Sequence, residues 1–463
     1  RNVNGAAVVV LNPNDGALLA MVGSPSFWEE QAGQVNMAIQ PRYPGSALKP
    51  FLYAAAFEQG MTAATPVLDV ATSFLTDQGP YRPLNYDRRF HGVLPARVAL
   101  ASSYNIPAVR VLDRVGKPHF LEMLHRVGLS TISQVDNYGL ALALGGGEVR
   151  LLDLTAAYGA IATGGQLPRP YVIKRVRSTA GRVLYEAPAP VEQRVLSREH
   201  AFILADILSD PVARAAGFGH VTPLDTAFRA AVKTGTTTES RDNWAVGLTP
   251  DRVVGVWVGN PDGEPMVNPS GVDGAGPIWR DVITAAMEGV DHRWFPRPEG
   301  VVTAEVCSPT GLVPGPACPN LVHELFVAGA ESRATERYYS GAATGLTLRS
   351  PEIEALPWAQ DAGVALGVAA VEAPYVLVQQ PPPGAVLVHA SELPDEQITL
   401  RAAVPAEALE VEFIIDGRPV QRAAGAATRA FWRPETGSHL LEVRAHLPSG
   451  SVVQGFSAFE VRP

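Results

Sequence analysis

The chain of 463 residues is 46% hydrophobic and 18% charged, with a formal net charge of −9, so it holds enough apolar sequence for one large core and at least one satellite unit. The acidic balance, without any basic run or Lys/Arg stripe interleaved with aromatics, argues against a nucleic-acid partner. No stretch approaches the roughly 20 apolar residues of a membrane span, and neither a signal peptide nor an initiating Met precedes Arg1, which points to a fragment or a processed form.

In chain order, "AAVVVLNPNDGALLAMVG" (6–23) predicts two strands joined by a turn at Asn12 to Gly16. "SALKPFLYAAAFEQG" (46–60) is Ala- and Leu-rich and closed by Gly60, and predicts a helix buried on most sides. Further helices are expected near 95–103, 107–127, 147–163 and 198–210, with Glu148 capping the third. Strands follow at 229–235, 243–249 and 252–260, then a helix at 276–289. Strands at both ends of this region with helices between imply a mixed α/β fold over 1–290, one mixed sheet packed by a helical region.

From 291 to 373 the text turns to Pro, Gly and Ala and reads as a linker. Cys307 and Cys318 lie within it; they could close a small disulfide loop or stand as two thiols. No further Cys or close His pair completes a zinc set, so no metal and no cofactor is expected. Short alternating strands from 374 to 463 predict a small all-β sandwich, Ig-like in size.

Three short motifs carry the chemistry. In Ser46-Ala47-Leu48-Lys49 the two polar residues are three apart on one helix face, so the lysine amine can reach the serine hydroxyl. A serine needs a base, and a lysine at the desolvated N-terminal end of a buried helix loses its proton more easily. Pro50, without an N–H, either frees the Ser46 carbonyl from the regular helical ladder or is simply a proline tolerated in the first turn. Ser103-Tyr104-Asn105 follows in a helical region, and Lys233-Thr234-Gly235-Thr236 lies on a strand, where Gly235 lets a ligand lie along the edge while a lysine and two hydroxyls face an anion. Ser-x-x-Lys, Ser-x-Asn and Lys-Thr-Gly in that order form the trio of penicillin-binding proteins and class A β-lactamases. Two lysines converging on one serine also repel each other's protons. Asp242, Asn243 and Trp244 are read as strand-start and core residues, and Tyr104 as either cleft-lining or packing.

"RYPGSALKPFLYAAAFEQG", "YRPLNYDRRFHGVLPARVALASSYNIPAVRVL", "GLALALGGGEVRLLDLTAAYGAIATGG" and "AVKTGTTTESRDNWAVG" resemble the transpeptidase domain of class A penicillin-binding proteins. "LPDEQITL", "FIIDGRP" and "FWRPETGSHLLEV" resemble the C-terminal module of one group in that family, so the likeness covers nearly the whole chain and is weakest over the linker. The resemblance implies a penicillin-binding, serine β-lactamase-like fold with an antiparallel sheet and a helical region, and a peptidoglycan D,D-transpeptidase that β-lactams acylate. Ser46 would attack the penultimate D-Ala of a stem peptide, and Lys49 would be its base. Ser103 would relay a proton to the leaving amine, held in register by Asn105 and Lys233, with Asn105 also holding the substrate amide. Thr234, Gly235 and Thr236 would bind the substrate, the two threonines taking its carboxylate, and the backbone N–H groups of Ser46 and Thr236 would form the oxyanion hole.

The implied partners are stem peptides, β-lactams and, through the C-terminal module, a bacterial α2-macroglobulin. The implied place is the periplasmic face of the inner membrane, reached through an N-terminal anchor missing here. No acidic glycosyltransferase signature precedes Ala6, so glycan polymerisation is not expected. Two other readings stay open: water as acceptor, giving a D,D-carboxypeptidase or weak β-lactamase, and a non-catalytic penicillin-binding or partner-recruiting module.

Overall fold

The structure, a computed structural model, describes residues 2–29, 32–76, 79–133, 138–188, 193–237, 240–267, 270–308, 310–336, 339–342, 345–348, 376–382, 385–388, 397–405 and 407–462. The N-terminal hairpin forms as its sequence predicts, β1 (Gly5–Leu11) pairing antiparallel with β2 (Leu18–Val22). Helices α1 (Lys49–Glu58), α2 (Ala96–Ala101), α3 (Asn105–Val115), α4 (Lys117–Arg126), α5 (Leu151–Ala162), α6 (Arg198–Leu208) and α7 (Pro211–Phe218) follow. The chain then returns through β3 (Ala231–Thr236), β4 (Asp242–Leu248) and β5 (Val253–Gly259) to α8 (Ala275–Ala286). The five strands make one sheet in the order β2-β1-β5-β4-β3, antiparallel throughout, with β3 at its edge.

Every residue of β4 and β5 is buried, because helices cover both faces of the sheet. Trp244, Val246 and Trp257 point into the larger core with α1 and α5, while Ala245, Val254 and Val256 meet Trp279 and Ile283 of α8. Two strand glycines set how closely the helices approach. A side chain on Gly255 would meet Thr155 Oγ1 of α5 at 2.1 Å, and one on Gly247 would meet the Trp279 ring of α8 at 2.4 Å.

Several expected boundaries differ, each for a local reason. The helix expected over 107–127 breaks at Gly116, which takes φ +84°, and α4 restarts with Pro118 in its first turn. The helix after Glu148 starts only at Leu151 and has no side-chain cap, so exposed Glu148 does not cap it. Helix α7 was not legible as a separate element; Asp210 creates it by accepting from the N–H groups of Val212 and Ala213, with Pro211 next in line.

The stretch read as a linker is folded over much of its length. β6 (Val301–Ser308) and β7 (Asn320–Val327) form a hairpin, and Cys307 and Cys318 are disulfide-bonded. Phe326 and Val306 pack on Ala64 of the first unit. Residues 309, 337–338, 343–344 and 349–373 of that expected linker lie outside the described residues, as do 374 and 375 of the expected sandwich.

Near the C-terminus, β8 (Leu377–Gln380), β9 (Val386–Val388), β10 (Ile398–Ala403), β11 (Glu410–Ile415), β12 (Arg418–Ala424), β13 (Arg429–Trp432), β14 (Gly437–His446) and β15 (Val452–Arg462) build two sheets, β8-β10-β13 and β9-β15-β14-β11-β12. Inward residues of both, among them Leu400, Val411, Phe413, Leu441 and Phe459, share one core, as a two-sheet sandwich requires.

Candidate active site

Ser46 sits in a 3₁₀ turn, Gly45–Leu48, rather than at the start of an α-helix. The Lys49 N–H closes that turn on the Ser46 carbonyl, and α1 begins at Lys49 with Pro50 in its first turn. Pro50 therefore has no N–H to waste, and the Ser46 carbonyl is satisfied one residue earlier than in an α-helix. Tyr158 of α5 donates to the Ala47 carbonyl at 2.7 Å, and the Trp244 indole donates to the Tyr43 carbonyl at 2.8 Å, fixing the turn from two sides.

The turn lies directly on the edge strand. A Cβ on Gly235 would sit 2.1 Å from the Pro44 carbonyl oxygen, and one on Gly45, whose φ is +56°, would sit 2.5 Å from that of Thr236. Only glycine at both positions lets the backbones meet. Ser46 is thus brought beside Thr234, Gly235 and Thr236, 188 or more residues later in the chain, and the Thr236 hydroxyl accepts a 2.8 Å hydrogen bond from the Gly271 N–H.

Ser103 closes α2 in an unusual way. The Ser103 N–H bonds the Leu100 carbonyl and the Tyr104 N–H bonds that of Ala99, the bond pair of a Schellman ending. Ser103 holds the left-handed position of that motif, φ +62°, where glycine is the ordinary occupant. A side chain there costs of order 1–2 kcal/mol of backbone strain. The return is placement: the Ser103 hydroxyl accepts a 2.7 Å hydrogen bond from Lys233 Nζ.

Lys49 is fully buried and donates to the carbonyls of Ser103 and Tyr104 at 2.6 and 3.0 Å and to Asn105 Oδ1 at 2.8 Å. Among the hydrogen bonds of the described residues none joins Lys49 to Ser46; the lysine amine faces the Ser103–Asn105 turn. Burial pushes the Lys49 amine well below the ordinary lysine range, the Lys233 charge adds to this, and the buried Asp69 carboxylate opposes it. Lys233, likewise buried, is lowered to about 7 by desolvation and by the Arg214 guanidinium. Asn105 Nδ2 in turn donates to the Leu84 carbonyl at 2.8 Å.

The structure therefore gathers Lys49, Ser103, Asn105 and Lys233 into one hydrogen-bonded chain, with Ser46 and the 234–236 segment alongside. Asp242 accepts from the Trp257 indole at 2.8 Å and Trp244 is fully buried, matching their strand-start and core readings. Tyr104 is a packing residue, 4% exposed and stacked on His91 at 4.1 Å. Sequence reasoning missed Asp69, Asn85, His91 and Arg214, none of which belongs to a short motif. Among the described residues no helix is long and apolar enough to cross a membrane.

Residues 6–284 match the family described as the penicillin binding protein transpeptidase domain, and residues 297–339 match the penicillin-binding protein 1A C-terminal domain, which accounts for the folded hairpin within the expected linker. Penicillin-binding protein 1A of Pseudomonas aeruginosa is 30% identical over 375 residues, covering 69% of this chain and 45% of that protein. Penicillin-binding protein 1C of Escherichia coli is 33% identical over 313 residues, covering 66% and 38%. The chain thus spans less than half the length of these two relatives. Among solved structures, penicillin-binding protein 1A from Haemophilus influenzae aligns with a TM-score of 0.64 at 27% identity over 72% of this chain and 55% of that one. PonA1 from Mycobacterium tuberculosis, in complex with penicillin V, shares the fold with a TM-score of 0.57 at 24% identity, over 64% and 82%. With more than half its residues inside the first match, the chain belongs to the penicillin-binding protein transpeptidase family.

Proposed function

We propose that the chain is a serine D,D-transpeptidase of peptidoglycan, acting at the periplasmic face of the membrane and open to acylation by β-lactams. The observation that carries this reading is the convergence of Lys49 and Lys233 on the Ser103 turn from two sides, beside Ser46. For this step Lys49 gives up one of its three donated hydrogen bonds and turns to Ser46 as neutral amine, taking the Ser46 proton while Ser46 Oγ bonds the penultimate D-Ala carbonyl carbon. Backbone N–H groups of Ser46 and Thr236 hold the developing oxyanion. Breaking the C–N bond expels the terminal D-Ala, whose amine receives a proton through Ser103 Oγ. The amine of a second stem peptide then attacks the ester and returns a proton to Ser46. Asn105 holds the donor amide; Thr234 and Thr236, flanking Gly235, take the terminal carboxylate beside Lys233.

The lowered lysines support this division, because a base must be neutral to act and two close ammonium groups cannot both hold their protons cheaply. Intact-mass measurement after incubation with a penicillin tests the nucleophile: one adduct is expected on the chain and none on Ser46→Ala. An adduct retained by Ser46→Ala would end the assignment. Incubation with a lipid-linked muropeptide polymer, followed by mass analysis, tests the acceptor. Crosslinked dimers are expected, and D-Ala release without them would mean that water is the acceptor. Recruitment of an α2-macroglobulin by residues 374–463 rests on resemblance alone, and pull-down with and without that segment tests it.

A further inference from the structure

The Ser103 turn is strained, and the α3 helix that follows starts without a side-chain cap of its own: Tyr104 stands at the N-cap with no capping hydrogen bond. Its first N–H is satisfied from elsewhere. Asn85, 20 residues upstream and 3% exposed, accepts from the Asn105 N–H through Oδ1 at 2.8 Å. The other end of the same amide donates to both carboxylate oxygens of Asp69, at 2.8 and 2.7 Å, and to the Arg89 carbonyl at 2.8 Å. Asp69 is itself fully buried, and it takes the His91 N–H at 3.0 Å and shares a 2.6 Å bond with His91 Nδ1. The His91 ring then stacks on Tyr104. A left-handed non-glycine residue persists only where its surroundings over-determine it, and here all three residues of the Ser-Tyr-Asn turn are gripped by this group or by Lys49.

We propose that Asn85, anchored on the buried Asp69–His91 pair, is the positioning residue that caps α3 in trans and holds Ser103 and Asn105 in register for acyl transfer. The proposal rests on the transpeptidase reading above. Asn85 touches no reacting atom. It fixes the backbone from which Asn105 and the Ser103 hydroxyl reach substrate, so its loss slows the chemical step rather than weakening encounter.

The test uses the whole chain and a fluorescent penicillin, separating the acylation rate constant from the dissociation constant of the preceding complex. Asn85→Ala is expected to lower the rate constant about 10- to 100-fold, the scale of a misplaced catalytic group, with the dissociation constant changed less than about threefold. The exchanged pair Asp69→Asn/Asn85→Asp keeps a carboxylate–amide bond and an acceptor for the Asn105 N–H, and is expected to recover about half or more of the loss on a logarithmic scale. Folded Asn85→Ala acylating within about twofold of the parent, a loss confined to the dissociation constant, or a folded exchanged pair with no recovery each overturns the proposal. If Asn85→Ala does not fold, the exchanged pair alone decides: acylation within about tenfold of the parent supports it and a slower rate overturns it. A parent chain that takes no label on Ser46 fells the transpeptidase reading and this proposal together, whereas a labelled parent with indifferent Asn85 variants fells this one only.

Discussion

Lys233 donates a 2.7 Å hydrogen bond to the hydroxyl of Ser103, a residue 130 positions away that stands in the left-handed region. The pair spans the site from the sheet edge to the end of α2, and it gives the Ser103 hydroxyl a fixed donor on one side.

Ser103→Ala removes this contact without disturbing the Schellman backbone bonds, which are made by main-chain atoms. The acylation rate is expected to fall about 10²- to 10⁴-fold, the ordinary range for a lost proton-transfer group, in a stopped-flow time course with fluorescent penicillin. A rate within a factor of two to three of the parent would remove Ser103 from the proton path.

The pH dependence has two signs to keep apart. For activity, Lys49 lies well below the lysine range and Lys233 near 7, so acylation should climb as pH rises through the neutral region and level off before ordinary lysines titrate; a rate flat from about pH 6 to 10 contradicts a lysine base. For stability, the folded chain holds Lys233 at about 7 against a reference of 10.5. Between those values the unfolded chain binds more protons, so stability increases with pH there, and below about 7 the penalty is constant. Denaturation midpoints from about pH 7 to 9.5 should rise more steeply for the parent than for Lys233→Met; equal slopes would contradict a buried, lowered Lys233.

Gly235→Ala places a methyl group 2.1 Å from the Pro44 carbonyl oxygen and 3.2 Å from the Ala47 N. The edge strand and the Ser46 turn must then part. Destabilisation of about 1–3 kcal/mol is expected by calorimetry, together with a loss of acylation larger than the loss of folded protein accounts for. Unchanged acylation by a fully folded variant would mean that the strand and turn need not touch.

Arg97 of α2 is the polar contact that joins the first unit to the β6–β7 hairpin beside the Ala64 packing. It pairs with Glu324 through Nε at 2.8 Å and a terminal nitrogen at 2.5 Å, and also with Asp206 at 2.8 Å and Asp210 at 3.2 Å. Arg97→Met leaves three largely buried carboxylates facing one another and should cost about 3–5 kcal/mol, read from chemical denaturation. Glu324→Gln should cost less, because Asp206 and Asp210 still face Arg97. The reverse order would show that the hairpin, not the acidic cluster, is what Arg97 serves.

How much of this was legible beforehand differs by element. The β1–β2 hairpin, the three later strands and the buried helix after Ser46 followed from local apolar pattern and turn residues, since period and punctuation are properties of adjacent residues. Gly116, Asp210 and the 3₁₀ turn at Ser46 shifted boundaries by a few residues, because caps compete on margins of about 1 kcal/mol. The hairpin over 301–327 went unread, since much of its stabilisation comes from Ala64, Arg97 and a disulfide outside any periodic run.

The chain's own text determined the residue types of the candidate site, Ser46, Lys49, Ser103, Asn105 and Lys233, because spacing on a helix or a strand is a local matter. Only the tertiary structure decided how deeply the two lysines are buried and what packs around the Ser103 turn. Burial of Lys49 and Lys233, the left-handed Ser103 and the Asp69–Asn85–His91 support all depend on groups brought together by sheet closure and helix packing, and desolvation and directional hydrogen bonds act through space, over distances that sequence separation does not encode.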